Sequence, residues 1–315
     1  MKLRVLFLKK KSIIYLLILI LLMFLFSFLF IQTSSTTFNI AETNTIKADL
    51  DGDGAEDTLY VKNDNNKYYI EVKTKDKTFT LDPDKDINTL GEYSKHWPLR
   101  INLVDISRDK TPEIFIQSSY KDNPLQHIFY WNGEKFENIF SSSNSFIGFN
   151  DYSSNKTTKV ISGNISRDNI SMKNYIYSNG KFYSYSCNYI NSFEGRDSVL
   201  SFINFIQTLP AGEAKRPNEI FAPEISGKSI SAIGTLSGEN NKYVFQDGLF
   251  MDNKFDKNGN VSEIKWILNF RGVSNLNNDN IRNYNIILLL KPSKTSSDNF
   301  LYKISSITLN KVGPQ

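Results

Sequence analysis

The stretch "DLDGDGAED", Asp49–Asp57, places five acidic side chains within nine positions and separates them with glycines. Its candidate oxygen ligands include four aspartates at positions 1, 3, 5 and 9, which are Asp49, Asp51, Asp53 and Asp57. Position 7 adds the backbone carbonyl of Ala55. Ca²⁺ prefers six to eight such hard oxygen ligands, and glycine at position 6 lets the chain reverse. Since uncompensated carboxylates repel one another, the stretch predicts a Ca²⁺ loop rather than a solvated turn.

The end of this loop distinguishes the families of Ca²⁺ loops. EF-hands, and likewise dockerin-type loops, need a ligand at position 12, which is Tyr60 in this sequence. Here the loop ends at Asp57 and continues directly into the strand-like "TLYV". In this it resembles the FG-GAP/VCBS repeats of integrin-α-type β-propellers, over roughly Ile46–Ser186. The resemblance implies a Ca²⁺ ion that rigidifies the hairpin between two strands of one blade.

The loop pattern recurs twice with fewer ligands. "DISRDKTPE" offers a weaker second site, whose ligands are Asp105, Ser107, Asp109 and Glu113. In this loop Lys110 replaces the glycine and Arg108 lies between the ligands, so either cation could substitute for the metal. The third copy, "NISRDNISM", starts at Asn164 and ends at Met172, and we expect it to bind nothing.

Hairpin motifs recur alongside the loops. "FYWNGEKF" at Phe129–Phe136 and "IYSNGKFY" at Ile176–Tyr183 place Asn-Gly between alternating aromatic segments, which is typical of tight hairpins. "VKNDNNKYYIEV", Val61–Val72, is the expected counterpart in the first unit. Repeats of this length indicate stacked or radial units. Because propellers close with about four to eight blades, we expect an open or partial propeller, or another β arrangement.

The sequence after residue 190 has a different pattern. "RDSVLSFINFIQTLP" predicts a helix that is capped by Asp197 or Ser198 and ends before Pro210. Its apolar face comprises Val199, Phe202, Ile203 and Ile206. Four strand-like runs follow: "KYVFQDGLFM", "VSEIKWILNFRG", "NYNIILLLKP" and "FLYKISSITL". The sequence therefore predicts a small α+β domain, with a faint resemblance to the cone-shaped nuclear-transport-factor-like fold.

The first residues indicate a membrane anchor. Five basic residues in "MKLRVLFLKKK" precede an apolar run, Ile13–Ile31, that is long enough to span a bilayer as a helix. Basic residues on that side predict a cytoplasmic N-terminus and an extracytoplasmic remainder, in a single-pass protein of the cell membrane. A cleaved signal peptide is the alternative, but the run lacks small residues of A-x-A type at its end.

The predicted organisation has five segments, and their composition excludes some partners. They are a basic tail (1–11), an anchor (12–31), a stalk (32–45), a β-repeat domain (46–190) and the α+β domain (191–315). Of 37 basic and 33 acidic residues, five basic ones precede residue 12 and no acidic one precedes Glu42, so the exported part carries 32 − 33 = −1. Without a basic excess there, we expect no nucleic-acid partner.

Candidate catalytic groups are sparse. His127 lies in an alternating aromatic strand and is expected to be structural, while His96 is expected in a loop. Cys187 is the single cysteine, which excludes an internal disulfide, and Asp256–Asn260 is interpreted as a hairpin turn. We therefore expect an extracytoplasmic binding protein without catalysis, with a protein or cell-wall glycan as ligand. The alternatives are an exported hydrolase of cell-wall or glycan substrates and a structural component of an envelope or sporulation assembly.

Overall fold

The computed structural model divides into two compact units, Met1–Ser34 and Ser35–Gln315. It describes residues 11, 15, 18–21, 23, 36–39, 45–151, 157–167, 169–185, 195–293 and 300–312. The described residues of the first unit are helical. Most of the predicted anchor, Ile13–Ile31, lies outside the described residues. Within the described part of the chain, no helix combines the length and the apolar character that a membrane crossing requires.

The described part of the second unit contains seventeen strands. The first nine are β1 (Thr36–Asn39), β2 (Thr45–Ala48), β3 (Asp57–Asp64), β4 (Lys67–Lys73), β5 (Thr78–Thr80), β6 (Arg100–Val104), β7 (Glu113–Tyr120), β8 (Asn123–Trp131) and β9 (Phe136–Ser142). The others are β10 (Phe146–Asn150), β11 (Lys159–Ile165), β12 (Ile170–Ser178), β13 (Lys181–Tyr185), β14 (Asn241–Phe255), β15 (Val261–Ser274), β16 (Ile281–Pro292) and β17 (Tyr302–Val312).

These strands form three open sheets, so the mainly β prediction is confirmed. The first sheet has the order β2-β3-β4-β5, and the second has the order β1-β6-β7-β8-β9. The third sheet has eight strands in the order β13-β12-β11-β10-β14-β15-β16-β17. Neighbouring strands are antiparallel except β10 and β14, which pair in parallel. Each of the runs β2–β5, β6–β9 and β10–β13 is thus a four-stranded antiparallel meander.

The predicted hairpins are present, but they occupy different places in the meanders. Asn65-Asn66 and Lys121-Asp122 form two-residue turns between the second and third strands, with all four residues at positive φ. The two Asn-Gly pairs instead join the third and fourth strands, after β8 and after β12. Val61–Val72 is therefore a hairpin, but its counterpart in the second unit is the Lys121-Asp122 turn.

Alternating side chains pack the sheets face to face. In β7, Ile114 and Ile116 belong to the apolar core shared with the first sheet, whereas Phe115 belongs to the core shared with the third sheet. This follows from the two-residue period of a strand, which sends successive side chains to opposite faces. A third core fills the space between the far face of the eight-stranded sheet and the helices, and includes Phe202 and Trp266.

The predicted domain boundary at residue 190 falls within the eight-stranded sheet. β10–β13 precede that residue and β14–β17 follow it, and the parallel pairing of Phe146–Phe149 with Gly248–Met251 joins the two groups. Because each strand has the same local period whichever neighbour it pairs with, sequence periodicity could not reveal this junction.

Two α-helices cover the third sheet in the described part of the chain. α1 (Arg196–Thr208) buries the predicted apolar face, including Phe202 and Ile206. It begins one to two residues before the expected caps, because Gly195 precedes it at φ 72° and its missing Cβ makes room for Leu290. α2 (Gly227–Gly238) was not predicted, since its three glycines weaken the helical pattern.

A buried ion pair joins the second sheet to the third. The Arg100 guanidinium of β6 contacts the Asp247 carboxylate of β14, and both side chains are almost fully buried. Asp247 Oδ2 also accepts a hydrogen bond from Trp97 Nε1 at 2.5 Å. One residue further along β14, the carbonyl of Gly248 accepts a bond from Gln117 Nε2 at 3.0 Å. The two sheets are therefore held together by polar contacts as well as by their apolar core.

Candidate functional site

The first acidic loop connects β2 to β3 and is organised around Asp49. Its Oδ1 accepts the N–H of Gly52 at 2.8 Å, and its Oδ2 accepts the N–H of Gly54 at 3.0 Å. Both glycines have positive φ, 77° and 83°. Only glycine adopts this conformation at little cost, so the two glycines allow the chain to wrap around one carboxylate.

The last acidic residue of the loop, Asp57, accepts hydrogen bonds from the start of the loop. Asp57 is buried, and its Oδ2 accepts the N–H groups of Leu50 and Asp51 at 2.8 and 3.2 Å. Its Oδ1 is also buried and has no hydrogen-bond partner among the described residues. Burial raises the pKa of Asp57, backbone N–H donation opposes this shift, and the charges of Asp51 and Asp49 add to it. A cation next to Oδ1 would relieve this electrostatic cost.

The structure brings three of the predicted ligands together. One carboxylate oxygen from each of Asp49, Asp51 and Asp57 lies within 4.8 Å of the others. Asp53 belongs to the same turn but lies outside this cluster, and its Oδ1 accepts the N–H of Ala55 at 2.7 Å. The described loop therefore offers three converging carboxylates, and further oxygen ligands from the chain or from water are needed to complete the coordination of Ca²⁺.

The second loop, between β6 and β7, repeats the backbone of the first. Asp105 Oδ1 accepts the N–H of Arg108 at 2.6 Å, and Asp105 Oδ2 accepts the N–H of Lys110 at 3.0 Å. Asp109 Oδ1 accepts the N–H of Thr111, and in the first loop Asp53 Oδ1 accepts the N–H of Ala55 in the same way. Ser107 Oγ contacts Asp105 Oδ1 at 3.4 Å. The second loop therefore keeps the backbone turn of the first loop although its sequence has diverged.

Glu113 takes the place of Asp57 in this second loop. Glu113 Oε2 accepts the N–H of Ile106 at 2.7 Å, and Oε1 is buried without a hydrogen-bond partner among the described residues. Burial raises the pKa of Glu113 to about 7, against the opposing effect of the Ile106 N–H. Burial therefore disfavours the charged form of this carboxyl, as it does at Asp57.

The two cations of the second loop occupy the positions of the two glycines. Arg108 and Lys110 have φ values of 63° and 77°, in the left-handed region that is unfavourable for side chains with a Cβ. The Arg108 guanidinium donates a hydrogen bond to the carbonyl of Asp151 at 3.3 Å, so it reaches towards the neighbouring loop. Lys110 is exposed.

Lys110→Gly is expected to raise the free energy of unfolding by about 1 kcal/mol, because it removes the strain of a left-handed residue. Chemical denaturation of the full chain measures this change. Lys110→Ala is the matched control: it removes the same charge but keeps the Cβ, so it should bring no gain. Equal stability of the two variants would contradict the strain argument.

The third loop lies thirteen residues before its predicted position. β10 ends at Asn150, which pairs with Lys159, just as Ala48 pairs with Asp57 and Val104 pairs with Glu113. The loop therefore starts at Asp151, and the repeat spacings are 105 − 49 = 56 and 151 − 105 = 46. The predicted start, Asn164, lies within β11 instead. Residues 152–156 of this loop lie outside the described part.

An ammonium group contacts the first carboxylate of the third loop. Lys159 occupies the position of Asp57 and Glu113, and its Nζ lies 2.9 Å from Asp151 Oδ2. The carboxylate that accepts a backbone N–H here comes from another strand: Asp252 Oδ2 accepts the N–H of Asp151 at 2.6 Å. In the third loop the Lys159 ammonium thus lies next to the first carboxylate, whereas in the first loop three carboxylates converge without a basic side chain among them.

The three loops lie side by side along one edge of the sheets. A Cβ added to Gly52 would come within 2.6 Å of Thr111 Oγ1, so the first and second loops are in close contact. The hydrogen bond from Arg108 to Asp151 connects the second loop to the third. Strain or ordering in one loop can therefore affect its neighbour.

The structure describes most of the other predicted candidates. His127 is buried in β8, its Nδ1 lies 2.9 Å from Ser141 Oγ, and burial lowers its pKa to about 4. His96 is half-buried in a loop, and burial followed by the charge of Arg271 lowers its pKa. Asp256–Asn260 forms the predicted turn between β14 and β15. Cys187 lies outside the described residues.

Sequence reasoning missed a groove above one end of the third sheet. It has two chambers of about 490 and 290 Å³ that share Ile165 and Phe245. The larger chamber is bounded by the end of α1, including Asn204 and Gln207. The smaller one is bounded by Trp97 and Gln246, among others. These side chains come from remote parts of the chain, and no sequence motif connects them.

No protein-family model and no curated protein sequence matches this chain. Its function must therefore be inferred from the acidic loops and the groove.

Proposed function

We propose that this chain is a membrane-anchored extracytoplasmic binding protein whose β-repeat region is stabilised by Ca²⁺ in the loop Asp49–Asp57. The ion would be held by Asp49, Asp51 and Asp57, with Asp53 and the carbonyl of Ala55 as the remaining candidate ligands. Its role is structural, because it fixes the β2–β3 hairpin and, through Gly52 and Thr111, the position of the second loop.

One observation carries the metal assignment: the buried Oδ1 of Asp57 has no hydrogen-bond partner among the described residues. A buried carboxylate oxygen without a partner costs about 1–3 kcal/mol, so a native protein normally supplies one. Glu113 Oε1 is in the same position in the second loop. There Arg108 and Lys110 replace the two glycines of the first loop, and their positive charges oppose cation binding, so we expect that loop to bind Ca²⁺ more weakly.

The anchor is supported by the sequence. Ile13–Ile31 provides about the 20 apolar residues that a spanning helix needs, and basic residues on its N-terminal side favour a cytoplasmic N-terminus. Part of the predicted stalk (32–45), Thr36–Asn39, is instead strand β1 of the second sheet, so the sheets would follow the anchor closely in sequence and lie on its extracytoplasmic side. A ligand on the same side, a cell-wall glycan or a protein, fits this placement.

Calcium is expected to raise the melting temperature of the full chain in detergent. At ten times its Kd it should add about 1.4 kcal/mol to the free energy of unfolding. Asp51→Asn keeps the acceptor for the Asp53 N–H but removes a ligand charge, so it should abolish most of the calcium dependence. Differential scanning calorimetry with EDTA and with CaCl₂ measures both effects.

Asp84→Asn is the matched control for Asp51→Asn. Like Asp51, Asp84 accepts the N–H of the residue two positions later, at 3.2 Å, but it is exposed and lies outside the loops. This variant should retain the full response to calcium. A wild-type melting temperature that is the same with EDTA and with CaCl₂ would overturn the metal assignment.

A further inference from the structure

The groove exists because β10 is short. β10 starts at Phe146, which pairs with Gly163 of β11 on one side and with Gly248 of β14 on the other. Both neighbours continue beyond this point: β11 through Asn164 and Ile165, and β14 back to Asn241. The sheet therefore has a gap between two strands, and residues of both strands line the groove.

Gln246, one of the residues that line the smaller chamber, has a buried amide donor without a partner among the described residues. Gln246 is only 4% exposed, and its Oε1 accepts hydrogen bonds from Asn269 Nδ2 and Asn283 Nδ2 at 3.2 and 3.3 Å. Those two bonds fix the orientation of the amide. Gln246 Nε2 has no hydrogen-bond partner among the described residues, although Gln246 lines the chamber. A ligand oxygen that accepted this N–H would satisfy it.

The rest of the smaller chamber favours a neutral, hydroxyl-rich ligand. Among the described residues that line it, two are charged, Asp122 and Arg271, and they form an ion pair with each other at 3.2 Å. Amide and hydroxyl groups supply most of the other polar atoms: Asn123, Ser143, Ser145 and Asn164. The partly exposed ring of Phe245 stands where the chambers meet and offers an apolar face. Sugar rings combine many hydroxyls with apolar C–H faces, and therefore match both features.

We propose that the groove binds a neutral oligosaccharide, in which one sugar oxygen accepts the N–H of Gln246 Nε2 and a neighbouring ring packs on Phe245. The inference rests on the proposed binding function and specifies its ligand class. Chambers of about 490 and 290 Å³ fall near the range of small-molecule sites, so several linked sugar units fit better than one.

The test is isothermal titration of the full chain with tetra-N-acetylchitotetraose and, separately, with cellotetraose. The detergent must have no sugar headgroup. We expect saturable binding of at least one oligosaccharide. Gln246→Leu removes the donor and should weaken binding about tenfold. Because it also disturbs Asn269 and Asn283, a second variant, Ser143→Trp, fills the chamber from an exposed position and should weaken binding by a similar factor. Ser231→Trp, exposed on α2, is the control and should change the Kd by less than twofold.

Two results would overturn the proposal. One is the absence of heat with both oligosaccharides while the protein melts cooperatively. The other is binding that Ser143→Trp leaves unchanged. Titration with an uncharged ten-residue Ser/Thr/Asn peptide covers the competing ligand class, and binding of this peptide alone would replace the saccharide by a peptide. The calcium dependence of melting is measured without any saccharide, so failure of the groove assignment is distinguishable from failure of the metal assignment.

Discussion

Arg100→Met is expected to lower the free energy of unfolding by about 3–5 kcal/mol, because it leaves a buried carboxylate without its cation. Asp247 is almost fully buried, and in the variant its carboxylate would keep the hydrogen bond from Trp97 Nε1 but lose the guanidinium. Methionine keeps most of the length of the arginine stem, so the loss reports on charge more than on packing. Urea denaturation of the full chain, followed by tryptophan fluorescence, measures the change.

A double-mutant cycle separates the ion pair from the rest of the interface. Asp247→Asn alone should also cost about 3–5 kcal/mol, since it leaves a buried guanidinium unpaired. Burial already lowers the pKa of Arg100 to about 9, which reflects the cost of its charge at this site. The double variant Arg100→Met/Asp247→Asn should lose much less than the sum of the two single losses, because it leaves neither charge uncompensated.

An exposed ion pair provides the comparison. Lys62 Nζ and Glu71 Oε2 lie 2.5 Å apart on β3 and β4, with side-chain exposures of 54% and 31%. Lys62→Met should cost only about 0–1 kcal/mol, because water solvates the remaining carboxylate. Additive losses for Arg100 and Asp247, or a loss as small as that of Lys62→Met, would contradict the assigned role of the buried pair.

The buried ion pair between Arg100 and Asp247 is a contact that the sequence could not predict. Arg100 and Asp247 are 147 residues apart, and each lies in a strand whose local pattern is ordinary. The same is true of the parallel pairing of β10 with β14, which creates both the eight-stranded sheet and the groove. Local periodicity determines which side of a strand is buried, but it does not choose the partner strand.

The acidic loops show the opposite case. Their form depends on contacts within nine residues, such as the bonds from Gly52 and Gly54 to Asp49, so spacing alone predicted the turn. The prediction failed for the third loop, because there Lys159 replaces the acid at position 9 while the backbone position was kept. The sequence "NISRDNISM" resembles the second loop, "DISRDKTPE", so the third loop was predicted to start at Asn164. The pairing of Asn150 with Lys159, which only the structure shows, places this loop correctly.

Glu113→Gln is expected to stabilise the protein relative to wild type as the pH rises. Burial raises the pKa of Glu113 from 4.5 to about 7, so the folded state holds its proton more tightly than the unfolded state. Below pH 4.5 both states are protonated, and the group causes no pH-dependent loss. Between pH 4.5 and about 7 the unfolded chain gives up the proton first, so the stability of the wild type falls. Above about pH 7 the loss is complete, at about 3 kcal/mol or less.

Glutamine lacks this titration but can keep the important contact. Its Oε1 can accept the N–H of Ile106, as Glu113 Oε2 does now. The stability difference between variant and wild type should therefore grow from pH 4.5 to about 7 and then level off. Urea denaturation in EDTA at several pH values measures it without interference from bound metal. Glu134→Gln removes an exposed carboxylate from the β8–β9 turn and controls for the loss of one negative charge.

The pH series also tests how the two acidic loops differ. Both loops bury one acid at position 9, and each of these acids has one oxygen without a hydrogen-bond partner among the described residues. In the second loop, a proton on Glu113 can relieve that cost near neutral pH, whereas in the first loop we expect calcium to do so. If the stability difference for Glu113→Gln stays flat between pH 4.5 and 8, Glu113 does not carry this proton in the folded state. The second loop would then need a cation as much as the first, and calcium should stabilise both.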